Sequence, residues 1–255
     1  MSLTPEQVQQ WSHELVQARH QRATRSPLTD ELTLSLDDAY AIQREVTAAR
    51  LARGERIVGW KLGYTSLAMR EQMGIGQPNF GPLTDAMVLR SDDSVSPSLV
   101  QPRVEPEICL RFGLALEGVV TVDDVLAATD EAVACLEVVD SVYTDYRFRL
   151  EDNTADGSSA AQVVLGPALP PGPLDEMTVE LLHDGDSVAR STGAAASGHP
   201  AVGVVWLVEQ LAQRGLRIEP GQFVITGGLT KAVPLLPGER ISARFAGSVE
   251  VGVTR

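Results

Sequence analysis

The sequence predicts an α+β protein: a mixed β-sheet roll carrying N-terminal and flanking helices. Three observations lead there. The first third of the 255 residues has helical periodicity with capping signals, and the rest alternates short apolar runs with turn residues. Two further helical segments interrupt those runs. An apolar fraction of 44% supports a well-packed core, and 5% aromatic residues make that packing mainly aliphatic.

Thr4 before Pro5, with Gln7 at the third helical position, marks the first helix start. A second helix starts at Ser35, where Asp38 completes a capping box, and runs to about Gly54. Its Ala39, Ile42, Val46 and Ala49 share one face. Between the two helices, HQRATRSPLTDELT lacks a period and reads as a surface linker. From Arg56 onward, IVGWKLG, MVL, VEPEICLRFG, ACLEVVDSVY, AQVVLG, MTVELLHDG and FVITGG read as strands. One interrupting helix runs from Val122, capped by Thr121 with Asp124, to about Ala134. The other runs from Pro200, behind His199, to Arg214, with Gly215 as its stop. There is no internal repeat and no flexible linker. Residues 1–255 therefore form a single domain, with 1–55 as a helical subdomain packed on a β-roll core of 56–255.

Composition narrows the function. A net charge of −13, from 34 acids and 21 bases, argues against nucleic-acid binding. No apolar run approaches the roughly 20 residues that cross a bilayer, and MSLTPEQVQQW is unlike a signal peptide. Cys109 and Cys135 both sit in apolar runs, the pattern of buried thiols in a reducing, cytoplasmic compartment. A small anionic substrate would need a local positive centre, and a bound cation supplies one.

The strongest chemical signal is Val104-Glu105-Pro106-Glu107-Ile108. On a strand, residues two apart share a face, so Glu105 and Glu107 project side by side. Such a pair repels unless a cation lies between its members. Pro106 cannot donate to a ladder, which suggests an edge or a bulge. Two solvated acids on an edge strand are the alternative. Glu137, inside the apolar run Ala134–Val139, adds a third acid, because a buried carboxylate needs pairing or coordination. The set suits a hard cation, and a salt bridge to an arginine is equally compatible with Glu137. Lys61 is the one charge in IVGWKLG; desolvation would lower its pKa, unless it reaches the surface at a strand end. Gly227-Gly228-Leu229-Thr230 can bring backbone N–H groups to a carboxylate or form a plain turn. Gly193–Gly198 is a weak candidate for anion contact, and His199 reads as a cap or packed residue.

Together the stretches DDAYAIQ, IVGWKLGYTS, GQPNFGPL, QPRVEPEI, LEVVDS, TADGSS, SGHP and ITGGLTKAVPL resemble the 4-oxalocrotonate decarboxylase and 2-keto-4-pentenoate hydratase family. That family lies within the fumarylacetoacetate hydrolase-like superfamily, and the resemblance spans about Leu36 to Ser248. It implies a single catalytic domain of that superfamily's β-roll type, with Mg²⁺ or Mn²⁺ held by Glu105, Glu107 and Glu137. It also implies Lys61, Asn79 and Ser159 as catalytic residues, and Gly227, Gly228 and Thr230 as substrate contacts. The substrate class is unsaturated 2-oxo acids from meta-cleavage of aromatic compounds, and the partners are further copies of the chain or a paralogous hydratase. The chain departs from the family pattern at three places. The family's Asp-Asn-Ala-Ser-Ser is Asp156-Gly157-Ser158-Ser159-Ala160, its Asp-Ser-Arg is Asp140-Ser141-Val142, and the hydratases' Pro-Asp-Phe-Gly is Pro78-Asn79-Phe80-Gly81. With Asn79 in the Gly76–Gly81 loop, expected to be mobile, decarboxylation is the first expectation. Hydration is the second, and a non-catalytic assembly partner the third.

Overall fold

The computed structural model describes residues 2–66, 70–71 and 74–255. Helices α1 (Pro5–Gln21) and α2 (Leu36–Leu51) both open on complete capping boxes, Thr4 with Gln7 and Ser35 with Asp38. The linker between them is partly structured, because Leu28 is buried in a short 3₁₀ turn, Leu28–Asp30.

The strands form two sheets. The larger runs β2 (Asn79–Thr84), β1 (Ile57–Gly63), β9 (Phe223–Ile225), β4 (Arg103–Phe112), β5 (Thr129–Val139), β6 (Ala160–Ala168) and β3 (Val88–Arg90). Strand β10 (Val233–Pro234) also pairs with β4. Pairing is parallel at β1–β9 and β3–β6 and antiparallel elsewhere. The smaller sheet runs β12 (Val249–Thr254), β11 (Arg240–Phe245), β7 (Thr178–His183) and β8 (Asp186–Thr192). Short helices α3 (Val122–Ala128) and α4 (Leu150–Ala155) lie in connections, and α5 (Pro200–Ala212) packs on the larger sheet.

Period-two alternation divides the larger sheet into two faces. Trp60, Leu62, Val104, Ile108, Leu110, Leu136, Val138, Val164 and Val224 face the main core with α5 and the smaller sheet. The opposite face carries a smaller apolar cluster with Cys109, Val133, Cys135, Val163, Phe223 and Ile225. Both cysteines are free and buried. Close packing of the sheets needs Gly166, where a Cβ would fall 2.7 Å from Val251 Cβ. The helices α1 and α2 share a third cluster with Val142, Tyr143 and Ala155.

Three expectations need correction. The helix from Val122 ends at Ala128, and residues 129–134 already belong to β5, because Thr129, Val133 and Cys135 continue a strand alternation that caps alone do not reveal. The Gly76–Gly81 stretch is not a free loop, because Asn79–Gly81 open β2 and are buried. Pro106 does not mark an edge, because β4 is central. Its carbonyl accepts from Leu229 N–H at 2.9 Å, so its nitrogen faces the gap between β9 and β10, where no donor is needed.

Candidate metal and catalytic centre

The site is built on the second face of the larger sheet. Glu105 and Glu107 alternate out of β4, and Glu137 lies opposite Glu105 on β5. Lys61 projects from β1 on the same face as its neighbour Ile225. One oxygen from each of the three glutamates lies within 4.8 Å of the others. Glu107 and Glu137 are fully buried and Glu105 is half-buried. Glu107 Oε2 accepts the Gly227 N–H at 2.6 Å. Glu107 Oε1 and Glu137 Oε1 are buried with no hydrogen-bond partner among the described residues. Orphaned buried acceptors are costly. Here they converge in an all-oxygen donor set, which fits a hard divalent cation.

The electrostatics point the same way. Burial and the charge of Glu137 push Glu105 up to about 7, against the counter-effect of Lys61. Burial and its two carboxylate neighbours push Glu107 well above the usual range, and burial raises Glu137 despite Lys61. Lys61 Nζ forms an ion pair with Glu137 Oε2 at 3.1 Å. Burial by itself would lower the lysine, but the charges of Glu137, Glu107 and Glu105 outweigh it and the net shift is upward. The lowered lysine expected from its apolar flanks is thereby corrected: the flanks are apolar, but the facing strands bring three acids.

Lys61 is further held by a chain of polar contacts. Its Nζ donates to Ser158 O at 3.0 Å and Ser158 Oγ at 3.1 Å. The Ser158 hydroxyl donates to Asn79 Oδ1 at 2.9 Å. Asn79 Nδ2 donates to Asn153 Oδ1 at 2.8 Å and Thr154 Oγ1 at 2.9 Å. Asn153 Nδ2 then donates to Ser159 Oγ at 2.9 Å. Gly63 leaves room for this chain, since a Cβ there would strike both Asn79 Oδ1 and Ser158 Oγ. Ser158 is delivered by an uncommon turn, with φ of +70°, +58° and +55° at Gly157, Ser158 and Ser159. For the two serines this costs roughly 1–2 kcal/mol each. Gly157 enters the left-handed region readily.

The sequence-derived candidates thus separate into groups. Glu105, Glu107, Glu137, Lys61 and Asn79 come together in one buried network. Ser159 sits one step behind, bonded to Asn153, while its neighbour Ser158 touches Lys61. Gly227 gives its N–H to Glu107, and Gly228 abuts Glu105, whose carboxylate a Cβ at residue 228 would strike. The Thr230 hydroxyl bonds to the Lys231 carbonyl at 3.2 Å rather than to the cluster. His199 caps α5 through Nδ1 and Ala201 N–H. Val142 packs in the helical cluster. Sequence reasoning missed Ser158, Asn153, Thr154 and Tyr64, which is half-buried and feels the charge of Glu105. The run of small polar residues from Asn153 to Ser159 was the available signal.

A curled mixed sheet with a buried carboxylate triad and a paired lysine defines a divalent-metal enzyme of the fumarylacetoacetate hydrolase-like fold. A fumarylpyruvate hydrolase from Pseudomonas aeruginosa, solved with Mn²⁺ and pyruvate, shares that fold, with a TM-score of 0.62 at 18% identity over 76% of this chain and 87% of its own. No protein-family model matches the chain. Relatives resolve it further. A 2-hydroxypent-2,4-dienoate hydratase of Pseudomonas putida is 42% identical over 210 residues, 80% of this chain and 95% of that protein. A 4-oxalocrotonate decarboxylase of Pseudomonas sp. strain CF600 is 37% identical over 223 residues, 86% and 84% of the two chains. The decarboxylase of Pseudomonas putida G7, solved with magnesium and adipate, superposes with a TM-score of 0.95 at 33% identity, covering 99% and 98%. The chain belongs to the 4-oxalocrotonate decarboxylase and 2-keto-4-pentenoate hydratase family, and it is a lyase.

Proposed function

We propose that the protein decarboxylates 4-oxalocrotonate-type unsaturated 2-oxo dicarboxylic acids, with Mg²⁺ held by Glu105, Glu107 and Glu137 and with Mn²⁺ as the alternative ion. A divalent ion bound there supplies Lewis-acid polarisation of the substrate's 2-oxo and carboxylate oxygens. The chain's own groups do the rest. Lys61 is a cation held in place by Glu137 and Ser158, next to where negative charge develops as the distal C–C bond breaks. Its electron pair moves into the conjugated system, carbon dioxide leaves, and Lys61 Nζ is placed to return a proton to carbon. Asn79 keeps Ser158 oriented, and the buried face excludes water.

The observation that carries the choice of reaction is Asn79. It is fully buried, its amide is committed to Asn153 and Thr154, and it cannot take a proton at neutral pH. Hydration needs a group that deprotonates or orients water, and the carboxylates acting on Lys61 are those of the metal triad. Decarboxylation needs no such base. The second reading, 2-keto-4-pentenoate hydratase, is supported by the 42% identity to a hydratase. The test is incubation of the purified protein and Mg²⁺ with 4-oxalocrotonate and, separately, 2-hydroxypenta-2,4-dienoate. Carbon dioxide release from the first with slow hydration of the second is expected. Fast hydration without carbon dioxide release selects the other reading.

The same reading takes 1–255 as a single catalytic domain, because Arg19 and Gln43 of the helical segment reach into the roll. It also takes the protein as a cytoplasmic homo-oligomer with a paralogous hydratase as partner. No helix among the described residues is long and apolar enough to cross a membrane.

A further inference from the structure

The left-handed turn at Gly157–Ser159 presents both Ser158 contacts to Lys61, yet two serines there occupy a conformation they do not favour alone. Something must hold it. From α1, Arg19 Nη2 pairs with Asp156 Oδ1 at 2.7 Å and donates to Asp156 O at 3.3 Å. Its Nη1 donates to Asp140 O at 3.1 Å. Asp156 is the residue before the turn, and its other oxygen accepts Val142 N–H at 3.2 Å. Asp140 N–H in turn donates to Ser159 O at 2.9 Å, closing the far end of the turn. One guanidinium thus joins the two segments that bracket Ser158, and its planar fork matches three acceptors that an ammonium could not satisfy together.

We propose that Arg19 is a positioning residue for the Lys61 network, acting through Asp156 and the left-handed turn on Ser158. The inference rests on the reading of Lys61 as the proton-donating group, but its first readout does not. Hydrogen exchange in a peptide spanning 156–160 should quicken in Arg19→Ala, while the segments 105–107 and 137–139 and the affinity for Mg²⁺ by calorimetry stay as in the parent. Turnover of whichever substrate the parent consumes should fall between roughly ten- and a hundredfold in kcat with KM little changed. Ser158→Ala should cause a comparable fall, and Arg19→Ala/Ser158→Ala should cost little more than either alone.

Arg19 lines a cavity of about 370 Å³ with Asp140, Asp156 and Gly157. Millimolar guanidinium chloride should therefore restore part of kcat in Arg19→Ala and none in the double variant. Arg19→Lys should recover less than the added guanidinium does. Losses that multiply in the double variant, or unchanged kcat beside a lowered Tm, would overturn the proposal and leave Arg19 as a fold-stabilising contact. Unchanged exchange at 156–160 overturns it independently of which reaction the parent catalyses. A parent that hydrates the dienoate instead of releasing carbon dioxide refutes the decarboxylase reading alone.

Discussion

Lys61 shows how far a single residue can be read from its flanks. The apolar stretch correctly suggests burial, but burial is only the largest single influence on the ammonium, and the facing charges together exceed it. Glu137 at 3.1 Å, with Glu107 and Glu105 behind it, reverses the sign. The lysine is therefore held as a cation in the metal-free protein, not as a neutral base. Lys61→Met, which keeps much of the side-chain volume, should lower kcat by roughly 10²–10⁴. Affinity for Mn²⁺ should be equal or tighter, since a competing positive charge has been removed from Glu137. Steady-state turnover and calorimetry check the two halves separately. Near-parental turnover would leave Lys61 a structural counter-ion.

At the scale of elements, β4 carries the most information. Its odd residues Glu105, Glu107 and Cys109 face the site and its even residues Val104, Ile108 and Leu110 face the main core, so a one-residue slip would bury the wrong set. That alternation was legible in the sequence, as were the capping boxes of α1, α2 and α3. The partner across the sheet was not. That Glu137 faces Glu105, and that β9 stops where Pro106 cannot donate, depend on pairings between residues 32 and 123 positions apart. Strand β2 was hidden because Pro78, Gly81 and Pro82 read as turn residues. The fit of β4 to the β9–β10 connection can be tested at Gly228. Gly228→Ala places a methyl against the Glu105 carboxylate and should weaken Mg²⁺ binding by about tenfold or more, the range seen when support around a metal ligand is lost. Gly76→Ala meets open space and serves as the control. Equal affinities in both would mean that Glu105 can turn away without cost.

For the whole molecule, a divalent ion held by the triad would make stability depend jointly on metal and pH. The folded pKa of Glu105 is raised from its ordinary value of 4.5 to about 7, and Glu107 and Glu137 are raised too. A carboxyl with a raised folded pKa keeps a proton that the unfolded chain sheds. The metal-free protein therefore loses stability as pH rises from about 4.5 toward 7. Lys61, shifted upward, contributes stability that persists until the pH approaches the ordinary lysine range, so it does not offset the loss. A divalent ion binds the deprotonated carboxylates and must displace these protons, so its affinity grows across the same window. At a hundred times its dissociation constant the ion adds about 2.7 kcal/mol to folding. The Tm rise on adding Mg²⁺ should be small at pH 5.5 and clearly larger at pH 8. Glu105→Gln should flatten both the metal-free pH dependence and the Mg²⁺ effect. The check is differential scanning calorimetry at the two pH values, with EDTA and with Mg²⁺. A Tm rise independent of pH would show that the ion binds elsewhere, or that the three carboxylates are already ionised and paired in the metal-free chain.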